Sequence, residues 1–93
     1  MLCRAVFEYD PEKSEANRLK HGIDFEAAQA LWQDDRRITI GSSFAHEDRW
    51  VVVGQIDDRL WTAAVTYRDG RVRIISVRRA RKKEEVLYGS QDD

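Results

Sequence analysis

The dipeptide Asp69-Gly70, lying between two β-rich runs, constrains this chain more than any other pair of residues. A type I′ hairpin turn needs φ > 0 at both central residues, and Asp-Gly meets that demand at little steric cost. A two-residue turn here sets Tyr67 opposite Val72, and a second at Asp57-Asp58 sets Ile56 opposite Arg59. Because side chains alternate between faces, these registers assign a three-stranded meander. One face collects Trp50, Val52, Gly54, Ile56, Trp61, Ala63, Val65, Tyr67, Val72 and Ile74 and is the expected core. The other collects Val51, Val53, Gln55, Leu60, Thr62, Ala64, Thr66, Arg73, Ile75, Val77 and Arg79, a mixture unlike a purely solvated surface and therefore the natural place for function.

The same region is strongly basic. Residues 68–83 hold Arg68, Arg71, Arg73, Arg78, Arg79, Arg81, Lys82 and Lys83 against one acid, Asp69, a local charge of +7. The chain's net charge is −1, so the remaining residues carry −8, and a polyanion would meet this end of the molecule.

Ninety-three residues make one domain, 1–93, in which folding buries only about 60–65% of the chain's surface, so each large apolar residue is expected to count. Charged residues are abundant, yet 42% hydrophobic content with nine aromatics is too apolar for a disordered chain. The single cysteine, Cys3, can form neither an intrachain disulfide nor a zinc cluster. With no signal-peptide core and no apolar run long enough to span a bilayer, a cytoplasmic protein without membrane contacts is expected.

Ahead of the meander, residues 5–9 read as a strand, and Asp10-Pro11 begins a helix with a capping carboxylate and a proline at the first turn. That helix should end at His21-Gly22 and bury a thin stripe of Ala16 and Leu19. Asp24 caps a second helix, ending at Asp34-Asp35, whose Phe25, Ala28, Leu31 and Trp32 share one face. Strands are expected at 37–41, 49–56, 59–67 and 71–78, then a helix at about 80–88, with 89–93 as a frayed tail. The fold class is α+β: a small antiparallel sheet with two N-terminal helices on one face and a C-terminal helix.

Forked guanidinium donors match phosphate, which singles out Arg73, Arg78 and Arg79 on the last strand. Arg81, Lys82 and Lys83 more simply solvate the C-terminal helix beside Glu84 and Glu85. Lys20-His21 could hold a phosphate and move protons, although cations at a helix C-terminus also complement its dipole. His46 would complete a two-histidine ribonuclease scheme, but no spacing brings it to His21. Glu47-Asp48, Asp34-Asp35 and Asp57-Asp58 read as loop and turn residues, so no metal and no cofactor is expected. Ser42-Ser43 has no nucleophile-elbow context, and Trp50 and Trp61 belong to the core face.

Several pieces in order then resemble one family. They are Phe-Glu-Tyr-Asp-Pro-Glu-Lys at 7–13, Asn17, Lys-His-Gly at 20–22, Phe-Glu-Ala-Ala at 25–28, Arg49 leading into a strand, and Val-Arg-Ile-Ile-Ser-Val-Arg-Arg-Ala at 72–80. Over about residues 6–88 the chain is similar to BrnT, the toxin of a type II toxin-antitoxin pair. The stretch between Ile40 and Arg49 departs from the family in lacking Gly-Glu before the arginine, and residues 1–4 have no counterpart.

The resemblance implies a RelE-like fold, metal-independent RNA cleavage, and neutralisation by a small DNA-binding antitoxin, BrnA. It further implies self-pairing of the toxin within that complex and operator DNA contacted only through the antitoxin. Carried onto this sequence, it marks Lys20, His21, Arg73, Arg78 and Arg79 as catalytic; Arg49, Arg59, Arg68 and Arg81 are, beside these, expected RNA contacts. The expected chemistry is attack of a ribose 2′-OH on the adjacent phosphorus, with arginines steadying the phosphate and Lys20 or His21 holding it or shuttling a proton. A non-catalytic nucleic-acid-binding module, or a degenerate toxin that only holds its antitoxin, are the alternatives.

Overall fold

A computed structural model describes residues 6–41 and 49–90. The elements, in order, are β1 (Val6–Glu8), α1 (Pro11–His21), α2 (Phe25–Ala28) continuing into a 3-10 helix (Gln29–Gln33), β2 (Ile38–Gly41), β3 (Arg49–Ile56), β4 (Arg59–Arg68), β5 (Arg71–Arg79) and α3 (Lys82–Ser90). The five strands form one sheet in the order β1-β5-β4-β3-β2.

The expected turns are in place. Asp69 and Gly70 take φ of 52° and 78°, and Arg68 faces Arg71. Asp57 takes φ of 58°, and Ile56 faces Arg59. Helix starts follow the expected chemistry too: the Asp10 carboxylate accepts from the Glu12 N–H, the Asp24 carboxylate accepts from Ala27 N–H, and Gly22 closes α1 at φ 86°.

Several features differ from expectation. The sheet is mixed, because β1 runs parallel to β5, with Val6 beside Arg71 and Glu8 beside Arg73. Alternation along a strand reveals its faces but neither its partner nor its direction, so the first strand could fill the free edge of the last one undetected.

A β-bulge interrupts the pairing of β4 and β5: Val65 faces Ile74 but Ala64 faces Ser76, leaving Ile75 without a partner. Side-chain parity flips beyond it. Val77 therefore turns into the core, fully buried, and Arg79 lies on that same side with its guanidinium 5.5 Å from the ring centre of Trp61. Arg78 takes the opposite face, so the expected assignment of Val77 and Arg79 to that face is corrected.

The inward stripe of α1 is polar. Ser14 and Asn17 are buried, whereas Ala16 is exposed and Leu19 is 72% exposed. Ser14 Oγ accepts from Phe25 N–H, and the Asn17 amide donates to the carbonyls of Ile23 and Val77 and accepts from the Val77 N–H. Hydrophobic periodicity cannot detect a helix held down by hydrogen bonds. The second helix is also short, its last turns being 3-10, and α3 starts two residues late and includes Gly89 and Ser90.

The core lies between the sheet and α1, α2 and the 3-10 helix. It contains Ile23, Phe25, Ala28, Leu31, Val52, Trp61, Ala63, Val65, Val72, Ile74 and Val77, edged by Phe7, Tyr9, Trp32 and Ile56. Trp32 stands edge-on to Phe7 at 5.0 Å. Gly54 lies where the 3-10 helix approaches closely: a Cβ there would be 3.1 Å from Leu31 Cδ2 and would press on that side chain. Trp50 belongs to the same face but is 37% exposed, packing edge-on to Tyr67 at its rim. No helix of the described residues is long and apolar enough to cross a membrane.

Candidate nucleic-acid interface

The face away from α1 divides into two ends. At the Thr62 end, α3 is anchored by two carboxylates. Glu84 accepts two hydrogen bonds from Arg78, at 2.9 and 2.8 Å, one from the Thr62 hydroxyl and one from the Arg81 N–H. One turn further on, the Tyr88 hydroxyl donates to Asp34 Oδ2, which also accepts from the Gln55 N–H. Beneath the helix Val53 and Thr62 are buried.

The Arg78 guanidinium, with help from the Arg81 N–H and the Thr62 hydroxyl, outweighs burial and pulls the Glu84 carboxyl down to about 2. Burial also opposes the charge on Asp34, but hydrogen bonds from the Tyr88 hydroxyl and the Gln55 and Arg36 N–H groups hold its pKa below the usual range. A folded-state pKa below the unfolded one contributes stability that is complete above the unfolded value and is lost as pH falls toward the folded one. Glu84 is therefore expected to contribute up to about 3 kcal/mol near neutral pH, lost between roughly pH 5 and pH 2. Denaturation of Glu84→Gln across that range should show a shallower acid loss than the parent, and an unchanged slope would remove Glu84 as the cause.

The other end is open and basic. In register across four strands lie Glu8 on β1, Arg73 on β5, Thr66 on β4 and Arg49 on β3. The neighbouring row holds Val6, Arg71 and Arg68. Adjacent strands are about 4.8 Å apart, so four arginines share a small patch. Arg49, Arg68 and Arg71 are exposed and Arg73 is half-buried. Glu8 is the acid among them, 3.5 Å from Arg73 Nη1 and 3.6 Å from Arg71 Nη1. Solvated pairs of this length contribute little, so a phosphate could compete for Arg73 at small cost.

The residues marked in the sequence thus do not converge. Arg73, Arg49 and Arg68 meet at the open end. Arg78 is on the same face but about five residues along β5, and Glu84 engages it in a two-point ion pair. Lys20 and His21 follow Asn17 by one helical turn on the covered side, where Asn17 is bonded to Val77, and Arg79 also lies on that side. Arg59 stands beside the β3–β4 turn at the far end of the sheet, and Arg81 precedes α3; both are exposed. His46, Ser42-Ser43, Glu47-Asp48, Cys3 and residues 91–93 are outside the described residues. Among the described residues no group of three or more His, Cys, Asp or Glu is placed to hold a metal ion.

Glu8 and Arg71 are not singled out by sequence reasoning. The alternation of 5–9 does set Glu8 on one side of its strand, but only the parallel pairing of β1 with β5 brings it beside Arg71 and Arg73.

An α+β domain that displays a patch of arginines on the uncovered end of its sheet belongs among proteins that handle polyanions. The family of the ribonuclease toxin BrnT of type II toxin-antitoxin systems matches residues 9–84, most of the chain. This chain belongs to that family. No curated protein matches the chain.

Proposed function

We propose that this chain is a toxin that cuts RNA without a metal, by attack of a ribose 2′-OH on the neighbouring phosphorus, at the open end centred on Arg73. The observation that carries the reading is the state of Arg73: half-exposed, flanked by Arg49, Arg68 and Arg71, and, among the described residues, held by a 3.5 Å contact to Glu8. Because the nucleophile is already part of the substrate, the protein needs only to align it and to stabilise charge on the phosphoryl oxygens, which guanidinium groups do well. Arg73 would contact the scissile phosphate, and Arg49, Arg68 and Arg71 its neighbours.

Arg78 supports this site from a distance by anchoring α3. Lys20, His21 and Arg79 lie on the other side of the sheet and Arg59 and Arg81 toward its far end, where they would guide RNA through charge alone. The partner of such a toxin is an antitoxin. We take it to be BrnA-like, acting in the cytoplasm on a toxin that self-pairs and reaches operator DNA only through the antitoxin. A RelE-like origin of the fold is part of the same proposal.

Purified protein incubated with RNA in excess EDTA is expected to shorten it and leave 2′,3′-cyclic phosphate and 5′-OH ends, while a fully 2′-O-methylated RNA stays intact. RNA that is retarded on a gel but never shortened would make the chain a binding module. RNA cut only when a divalent metal is restored would remove the metal-free mechanism.

A further inference from the structure

We propose that Glu8 is the general base of this cleavage, an assignment that rests on the open end being the place where RNA is cut. Attack by the 2′-OH requires a group that accepts its proton, and arginine cannot serve because it stays protonated at any relevant pH. The described carboxylates at this end are those of Asp69, in the turn beyond Arg68 and Arg71, and of Glu8, which alone of the two stands in the row of Arg73. Its row places it next to Arg73, and Arg73 and Arg71, both on β5, approach its two carboxylate oxygens at 3.5 and 3.6 Å.

Both distances exceed those of charge-assisted hydrogen bonds, so the arginines position the carboxylate without occupying its lone pairs. The side chain is 29% exposed, enough to meet a substrate. Glu84 shows the opposite arrangement, four hydrogen bonds at 2.7–2.9 Å, and is a structural carboxylate.

In this assignment the phosphate lies against Arg73, and the ribose whose 3′ oxygen carries that phosphate turns its 2′-OH toward Glu8 on the neighbouring strand, β1. The Glu8 carboxylate takes the 2′-OH proton as the 2′ oxygen bonds to phosphorus. The bond from phosphorus to the 5′ oxygen breaks, that oxygen keeps the electron pair and takes a proton from water, and Glu8 returns its own proton to solvent. No oxidant, metal or further reactant enters.

The test compares the parent with Glu8→Gln and Glu8→Asp, measuring single-turnover cleavage of a short RNA in EDTA over a range of pH, together with RNA affinity by gel retardation. Glu8→Gln should lose about 10²-fold or more in rate, in line with the usual contribution of a positioned base, and should lose the acid-side fall of the rate. Its RNA affinity should be equal or higher, because a negative charge has left the patch. Glu8→Asp, which keeps the carboxylate on a shorter arm, should retain part of the rate and the acid-side fall. Cleavage by Glu8→Gln within about threefold of the parent, or a rate loss matched by an equal loss of affinity, would overturn the assignment while leaving the ribonuclease reading intact. A parent that leaves RNA whole overturns both.

Discussion

Arg73→Ala is expected to abolish growth arrest on induction while the protein still folds and still forms a complex with its antitoxin. The side chain is 42% exposed and its contact with Glu8 is a solvated pair, so its removal should cost the fold less than about 1 kcal/mol. Its loss from the centre of the arginine patch is different in kind. Removing one preorganised group that stabilises charge in a transition state typically slows the reaction by about 10²–10³-fold. Viability after induction, RNA cleavage in vitro and thermal melting together check the expectation, and a variant as toxic as the parent would sink the role.

Two comparisons sharpen this result. Lys82→Ala, on the exposed side of α3, should be nearly silent, and a large effect there would move the site onto that helix. Arg78→Ala should act mainly on stability, because it strips Glu84 of its ion-pair partner in a part-buried setting.

The largest effect on the fold is expected from Asn17→Ala. β1 stops at Glu8, yet β5 continues to Arg79, so among the described residues no strand lies beside the outer edge of β5 beyond Arg73. The Asn17 amide takes the place of the missing strand. It donates to the Val77 carbonyl at 2.9 Å and accepts from the Val77 N–H at 3.1 Å, as a peptide group would, and donates to the Ile23 carbonyl at 2.8 Å. Truncation removes all three bonds and leaves backbone groups buried without partners, at a cost of about 2–4 kcal/mol. For a domain of this size the melting temperature should fall by roughly 10–25 °C. Asn17→Asp keeps the acceptor but turns both donated bonds into repulsions between oxygens, and should be at least as damaging. A shift of only a few degrees in either variant would mean that water replaces the amide.

Much of the architecture was legible in the residues because it is local. Asp69-Gly70 and Asp57-Asp58 define the meander, Asp10, Gly22 and Asp24 delimit the helices, and Phe25, Ala28 and Leu31 mark a buried face. What stayed hidden depends on pairs distant in sequence. Nothing in residues 5–9 says that they run parallel to β5, and nothing in Asn17 or Ser14 distinguishes a buried amide or hydroxyl from a solvated one. The arginines were correctly gathered onto the last strand and wrongly sorted among its faces, since strict alternation assumes an unbroken ladder. The pairing of Glu84 with Arg78 is equally out of reach, because sequence neighbours place Glu84 beside the cations of its own helix.

The unpaired Ile75 acts as a hinge in the numbering of the strand. Odd positions before it face one way and odd positions after it the other, so Arg73 and Arg79, six residues apart, lie on opposite sides of the sheet. Were Ile75 paired in an unbroken ladder, Arg79 would come round to the Arg73 side and the Arg78 guanidinium would turn toward the apolar layer now filled by Val77, whereas deleting Ile75 would keep the present faces. Leaving this residue out of the ladder is what lets one short strand complete the core and still present charge on both surfaces.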